Sequence, residues 1–251
     1  MTIITFFNPI GGSGRTTAVM AIASAILEEK KQKPAVIDMT EEAKPTGHGK
    51  PSSLTVWESK IVECGFSFDD FRVEEVHNFE SMIRSDCYCE MDGFAYLLVD
   101  TPRRPNDLVL DMLSRSDLII VPFRNASEAA VSCKLLAKHG KKKTLIYGLV
   151  SGVESDEEYE LVKAAFTGLP VLDNYLPNAP IFERQHKCGH LFNMDAHEGD
   201  PESLPPEEAQ FSLMNENGCV SAQLLWKEVH SIICKDTLRK VEARRSVDNP
   251  I

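Results

Sequence analysis

Apolar residues in this chain come in short runs that end at polar or glycine-rich stretches. Thr2–Phe7 is apolar, β-branched and aromatic, stops at Asn8-Pro9 and is followed by glycines; Ala18, Ile22, Ala25 and Ile26 then recur at helical spacing. That pattern predicts a strand, a loop and a helix in succession. Ala35–Met39, Phe94–Asp100, Leu118–Pro122 and Thr144–Val150 are further strand candidates, with helical stretches between most of them. Beyond them, Leu161, Val162, Ala165 and Phe166 fit a helix and Pro170–Leu172 a short strand, while Val220, Leu224, Leu225, Val229, Ile232 and Ile233 mark a long C-terminal helix. Strands alternating with helices predict an α/β fold, a mostly parallel sheet with helices on both faces, in a single domain over residues 1–251. Residues 197–208, rich in Pro, Asp and Glu, read as a mobile surface loop within that domain.

Charge narrows the classes of partner. The net charge of -11 argues against a surface that wraps nucleic acid all over, so any DNA contact has to be a local basic patch. The seven cysteines include no CxxC pair, and with no secretory signal in view they read as reduced thiols of a cytoplasmic protein. No apolar run approaches the roughly 18 residues that a membrane-spanning helix needs.

Gly11-Gly12-Ser13-Gly14-Arg15-Thr16-Thr17 sits where the first strand hands over to the first helix. Glycines there let consecutive backbone N–H groups curl around a phosphate, the helix N-terminus adds partial positive charge, and Thr16 is placed to hold Mg²⁺. The plain alternative is a glycine-rich turn without a ligand. Phe94–Asp100 is an apolar strand that delivers a carboxylate to its C-terminal end, the position from which Asp100 can bind Mg²⁺. Asp38 ends the second strand in the same way.

These segments resemble the ParA/MinD-type P-loop ATPases, most closely their T-DNA-processing VirC branch. The resemblance covers roughly residues 2 to 192 and the final helix, and is concentrated in the glycine loop and in Asp100-Thr101-Pro102 with Ser116-Asp-Leu-Ile-Ile-Val-Pro122. It implies binding of ATP or ADP with Mg²⁺ through Gly11 to Thr17, with Thr16, Asp100 and Asp38 at the metal. It also implies a nucleotide-dependent homodimer that binds DNA and a partner protein in plasmid partition or conjugative DNA transfer. Thr101-Pro102 resembles the start of the switch that senses the γ-phosphate, and Ala179-Pro-Ile-Phe182 the loop near the base. Trp57 falls where VirC-type proteins carry a tryptophan, although a lone tryptophan is also an ordinary core residue.

The chain departs from the family at three places. Ile10 replaces the signature lysine that reaches across the dimer, Arg15 replaces the lysine at the β/γ-phosphates, and Thr40 stands where the family has an acid that positions the attacking water. Arginine keeps the charge on a larger planar fork. The expectation is retained nucleotide binding with hydrolysis slow or lost; Glu41 and Glu42, one residue and two beyond, are not assigned the missing role. The alternative is a degenerate pseudo-ATPase that serves as a protein-interaction scaffold. A dethiobiotin-synthetase-like ligase ranks last, because it needs the phosphate-loop lysine.

Three further groups lie outside these motifs. His186, Cys188, His190 and His197 with Cys87 and Cys89 lack the usual ligand spacing of a metal site, and core or surface roles explain them. Lys235, Arg239, Lys240, Arg244 and Arg245 form a basic C-terminal stretch, open equally to duplex phosphate binding and to a merely solvated tail. Lys138 to Lys143 reads as a solvated helix end.

Overall fold

The computed structural model describes residues 1–40, 52–139, 144–193 and 206–248, excluding the side chains of 139, 206–212 and 243–248. Its strands are β1 (Thr2–Phe6), β2 (Pro34–Asp38), β3 (Arg72–Glu75), β4 (Tyr96–Asp100), β5 (Leu118–Phe123), β6 (Leu145–Val153) and β7 (Leu176–Pro177). The helices are α1 (Arg15–Glu29), α2 (Ser53–Glu63), α3 (Phe79–Met91), α4 (Asp107–Arg115), α5 (Ala126–His139), α6 (Asp156–Ala164), α7 (Pro180–Cys188) and α8 (Pro206–Asp248). The seven strands form one parallel sheet in the order β3-β2-β4-β1-β5-β6-β7.

Strand alternation sends side chains to two separate cores. Val36, Tyr96, Leu98, Leu118 and Ile120 face α1, α2, α7 and α8, while Ala35, Ile37, Leu97, Val99, Ile119 and Val121 face α3, α4 and α5. A third cluster, with Phe123, Val150, Tyr159 and Phe166, seats α6 against the β6 side. Helix α1 lies between the sheet and α7 and α8, and eleven of its fifteen residues are buried. A helix enclosed on all sides must be apolar all round, and small Ala18, Ala21, Ala23 and Ala25 let its neighbours approach closely.

The expected layout is present, with three differences. Strand β3 was not foreseen: Arg72-Val-Glu-Glu75 is mostly charged, because an edge strand needs only one apolar contact. Pro170–Leu172 is no strand; Val171 makes a single bridge to Gly148, and the same edge of β6 then pairs with β7 instead. Of the anticipated mobile stretch 197–208, residues 197–205 lie outside the described residues, and residues 206–208 already belong to α8. Pro206 at the first helical position and Glu207 and Glu208 in the first turn favour a helix start there. Among the described residues no helix is long and apolar enough to cross a membrane.

Candidate nucleotide site

In sheet order, β1 lies between β4 and β5, and the chain leaves it first toward β2 and later, from β4, toward β5. Open parallel sheets bind ligands in the crevice that such a reversal leaves at the carboxyl ends of the strands. The loop that follows β1 occupies that crevice.

Its shape is held from beneath by Asn8, which is fully buried. The Asn8 side chain donates to Pro122 O at 2.7 Å and accepts from Ile10 N at 2.9 Å, which ties the loop to the end of β5. Gly12 and Gly14 take positive φ, 76° and 85°, a region that costs any residue with a Cβ. Gly14 has a second reason to be glycine: a Cβ there would lie 2.7 Å from Ser151 Oγ, which donates to Ser13 O at 2.9 Å.

Gly14 also caps α1, and the cap is bare. It offers no side-chain hydrogen bond, the first turn carries no acid, and the first helical bond is Ala18 N to Gly14 O. The N–H groups of Arg15, Thr16 and Thr17 are therefore those that a helix start leaves for an outside acceptor. Two buried side-chain donors point to the same need. Arg15 Nη1 and Ser13 Oγ have no hydrogen-bond partner among the described residues, although Arg15 is only 8% exposed. Burial pushes the Arg15 pKa below its ordinary value; Asp100 opposes that shift and Arg103 adds to it. Arginine stays charged throughout the accessible pH range, so its burial carries a desolvation cost that Asp100 offsets in part.

The acids predicted for the metal converge with Thr16. Asp38 and Asp100 are register partners at the ends of β2 and β4, both fully buried, and Thr16 Oγ1 donates to Asp100 Oδ2 at 2.6 Å. Asp38 Oδ1 accepts from Thr40 N at 2.8 Å and Thr40 Oγ1 at 2.6 Å, while Oδ2 has no hydrogen-bond partner among the described residues. A hydroxyl beside two carboxylates is hard oxygen chemistry, which fits Mg²⁺. Thr101 Oγ1 donates to Phe6 O at 2.7 Å and so ties the turn after β4 to β1.

A cleft of about 330 Å³ opens beside the loop, lined by Gly12, Gly14, Thr17, Arg124, Asn178 and Glu183 among others. The start of α7 borders it, and this helix too lacks a side-chain cap, with Ala179 at the cap and Pro180 following. Ala179 and Phe182, expected near the base, lie on this cleft. Ser151, Arg103 and Arg124 were not read from the sequence. Ser151 could have been found from its place near the carboxyl end of β6, and Arg103 by following the Asp100-Thr101-Pro102 motif one residue further.

Other candidates fall elsewhere. Trp57 is a core residue, fully buried edge-on to Phe71, with Nε1 donating to Gly189 O at 2.9 Å. Among the described residues no group of three or more His, Cys, Asp and Glu side chains could hold a metal ion; His197 lies outside them. His190 is buried between Phe66 and Phe192, its Nε2 3.1 Å from Ser24 O, and burial lowers its pKa. Lys235 and Arg239 are exposed on α8, whereas Lys240 pairs with Asp236 at 2.7 Å and with Asp117 at 3.8 Å. Asp117 precedes β5, so this basic helix end sits at the amino ends of the strands, opposite the carboxyl ends where the loop lies. Arg244 and Arg245 continue α8, their side chains outside the described residues, as are Glu41, Glu42 and residues 140–143.

Comparison with known proteins identifies the family and the fold. Protein virC1 of Rhizobium radiobacter is 29% identical over 124 residues, which is 49% of this chain and 48% of that protein. The chain thus aligns with about half the length of that relative. Among solved structures, the septum site-determining protein MinD complexed with Mg-ADP from Pyrococcus horikoshii superposes with a TM-score of 0.55 at 14% identity, covering 92% of this chain and 98% of the other. A ParA family ATPase from Chlorobium tepidum gives 0.52 at 13% identity, covering 87% and 97%. At such identities the structures establish the fold, that of the MinD/ParA P-loop ATPases. The family model described as VirC1 protein matches residues 1–127, a stretch that holds the loop, Asp38, Asp100 and all of β5, and the chain belongs to the VirC1 family.

Proposed function

We propose that the chain is a nucleotide-dependent switch of the ParA kind, acting in the cytoplasm in plasmid partition or DNA transfer, with ATP or ADP and Mg²⁺ at the loop after β1. The observation that carries this reading is the pair of buried donors at the bare start of α1, Ser13 Oγ and Arg15 Nη1, which have no hydrogen-bond partner among the described residues. A nucleotide's phosphates supply the missing acceptors and the missing negative charge together.

In this reading Gly11 to Gly14 curl the backbone, and the N–H groups of Arg15, Thr16 and Thr17 hold phosphate oxygens. Thr16, Asp100 and Asp38 hold Mg²⁺, directly or through water. The cleft beside Asn178 and Phe182 receives the base and ribose. Thr101-Pro102, joined to Asp100, responds to the γ-phosphate. Turnover is slow, because Thr40 has its hydroxyl engaged with Asp38 and offers no carboxylate to orient water. The output is a dimer that binds duplex DNA through Lys235, Arg239 and their neighbours on α8, and a partner protein.

A second reading, a scaffold that has lost the switch, is favoured by Ile10 and Thr40. Duplex-DNA retention and solution mass, each measured with Mg-ATP, Mg-ADP and no nucleotide, separate the two. The switch predicts a dimer and salt-sensitive DNA binding with Mg-ATP only, weakened uniformly across sequences by Lys235→Ala with Arg239→Ala. DNA binding and mass indifferent to nucleotide would leave the scaffold.

A further inference from the structure

We propose that Arg103 supplies, within a single chain, the outward positive charge that Ile10 cannot, and thereby makes the loop prefer a nucleoside triphosphate over a diphosphate. The inference rests on the reading of the loop as a nucleotide site and adds to it which residue reads the terminal phosphate.

The guanidinium of Arg103 lies against the loop's first glycine. A Cβ placed on Gly11 would be 2.7 Å from its Cζ, 2.8 Å from Nε and 2.9 Å from Nη1, so any larger residue at position 11 would displace it. Arg103 follows Asp100-Thr101-Pro102, the turn anchored by Thr101 to Phe6 O and by Asp100 to Thr16. It is thus delivered by the same element that carries the metal-binding acid. Arg103 is exposed, and its charge acts on Arg15 strongly enough to be among the causes that lower the Arg15 pKa. Two cations held over one loop repel, and a polyphosphate between them turns that repulsion into attraction.

The other arginines nearby do not fit the role. Arg124 approaches Gly12, 3.6 Å from the Cβ position, but its Nη2 pairs with Glu128 Oε1 at 3.1 Å and the other Glu128 oxygen accepts from Arg124 N at 3.0 Å. Its charge is already matched. Arg104 lines a separate cavity with His77 and Asn106. Ile10 sits next to Gly11 with an apolar side chain and its backbone N–H already donated to Asn8.

Equilibrium titration with fluorescent ATP and ADP analogues in Mg²⁺, at low and high protein concentration, tests the assignment on the unaltered chain, Arg103→Ala and Arg103→Lys. One charge-assisted contact made only by the terminal phosphate corresponds to a preference of about tenfold or more for ATP. The unaltered chain should show that preference at both protein concentrations. Arg103→Ala should bring the ratio close to one while ADP affinity changes little, and Arg103→Lys should keep part of it. An unchanged ratio in Arg103→Ala, with ADP still bound, would overturn this inference and leave the nucleotide site standing. So would an ATP affinity that appears only at high protein concentration, since the charge would then come from a second copy. No binding of either nucleotide by the unaltered chain would overturn the site and this inference together.

Discussion

Among the helix starts whose side chains are described, five carry a capping side chain and two, α1 and α7, do not, but α7 opens with Pro180 and has Glu183 in its first turn, both of which α1 lacks. Ser52, Asn78, Asn106, Asn125 and Ser155 each accept a hydrogen bond from a backbone N–H in the first turn of α2, α3, α4, α5 and α6. Four of the five also place an acid in that turn. Helix α1 instead starts from a left-handed glycine with no capping side chain and no acid, followed by a buried arginine one of whose nitrogens has no hydrogen-bond partner among the described residues. The capped starts are complete in themselves. In the proposed reading, a start that lacks a capping side chain and adds a buried cation receives an anion from outside. The difference separates residues that serve the fold from residues that serve a ligand, with stability and binding as independent readouts.

The largest effect expected is at Arg15. Arg15→Met removes a buried cation whose desolvation Asp100 only partly offsets, so without nucleotide the variant should melt no lower than the unaltered chain. Its ATP affinity should fall by about tenfold to a hundredfold or more, the range for a hydrogen bond to a charged group. Calorimetric melting alongside a nucleotide titration checks both signs, and a large loss of stability with unchanged binding would make Arg15 a structural residue. Next is Asp38→Asn, which should reduce the enhancement of ATP binding by Mg²⁺ by about tenfold while leaving binding in a chelator unaltered. Equal losses with and without the metal would remove Asp38 from the metal site. The smallest effect, and the one that sharpens the contrast, is at a capped start: Asn106→Ala should cost about 1 kcal/mol of stability and leave nucleotide affinity unchanged.

How far this contrast was legible in the sequence depended on whether neighbours in space were also neighbours in the chain. Gly11 to Thr17 are consecutive, so their roles followed from one strand–loop–helix signature, and Asp100 followed from an apolar strand ending in an acid. Ser151, Asn178 and Glu183 reach the loop only because β6 ends and α7 begins beside it. Arg103 was adjacent to a recognised motif, but its approach to Gly11 is a tertiary fact. For the fold, interior strands such as β4 and β5 announced themselves by uninterrupted apolar runs, whereas edge strand β3 carries mostly charged residues. Trp57 shows the converse: it was noted for its resemblance to a family position, and its indole serves the packing of α2 against α7.

Hydrogen–deuterium exchange of the full chain, with and without saturating Mg-ATP, tests the central claim most directly. The account predicts slowed exchange of the amides from Gly12 to Thr17 on adding nucleotide, with no change at the capped starts of α3 and α6. Unaltered exchange across Gly12 to Thr17 at millimolar Mg-ATP, or protection appearing only at the capped starts, would contradict it.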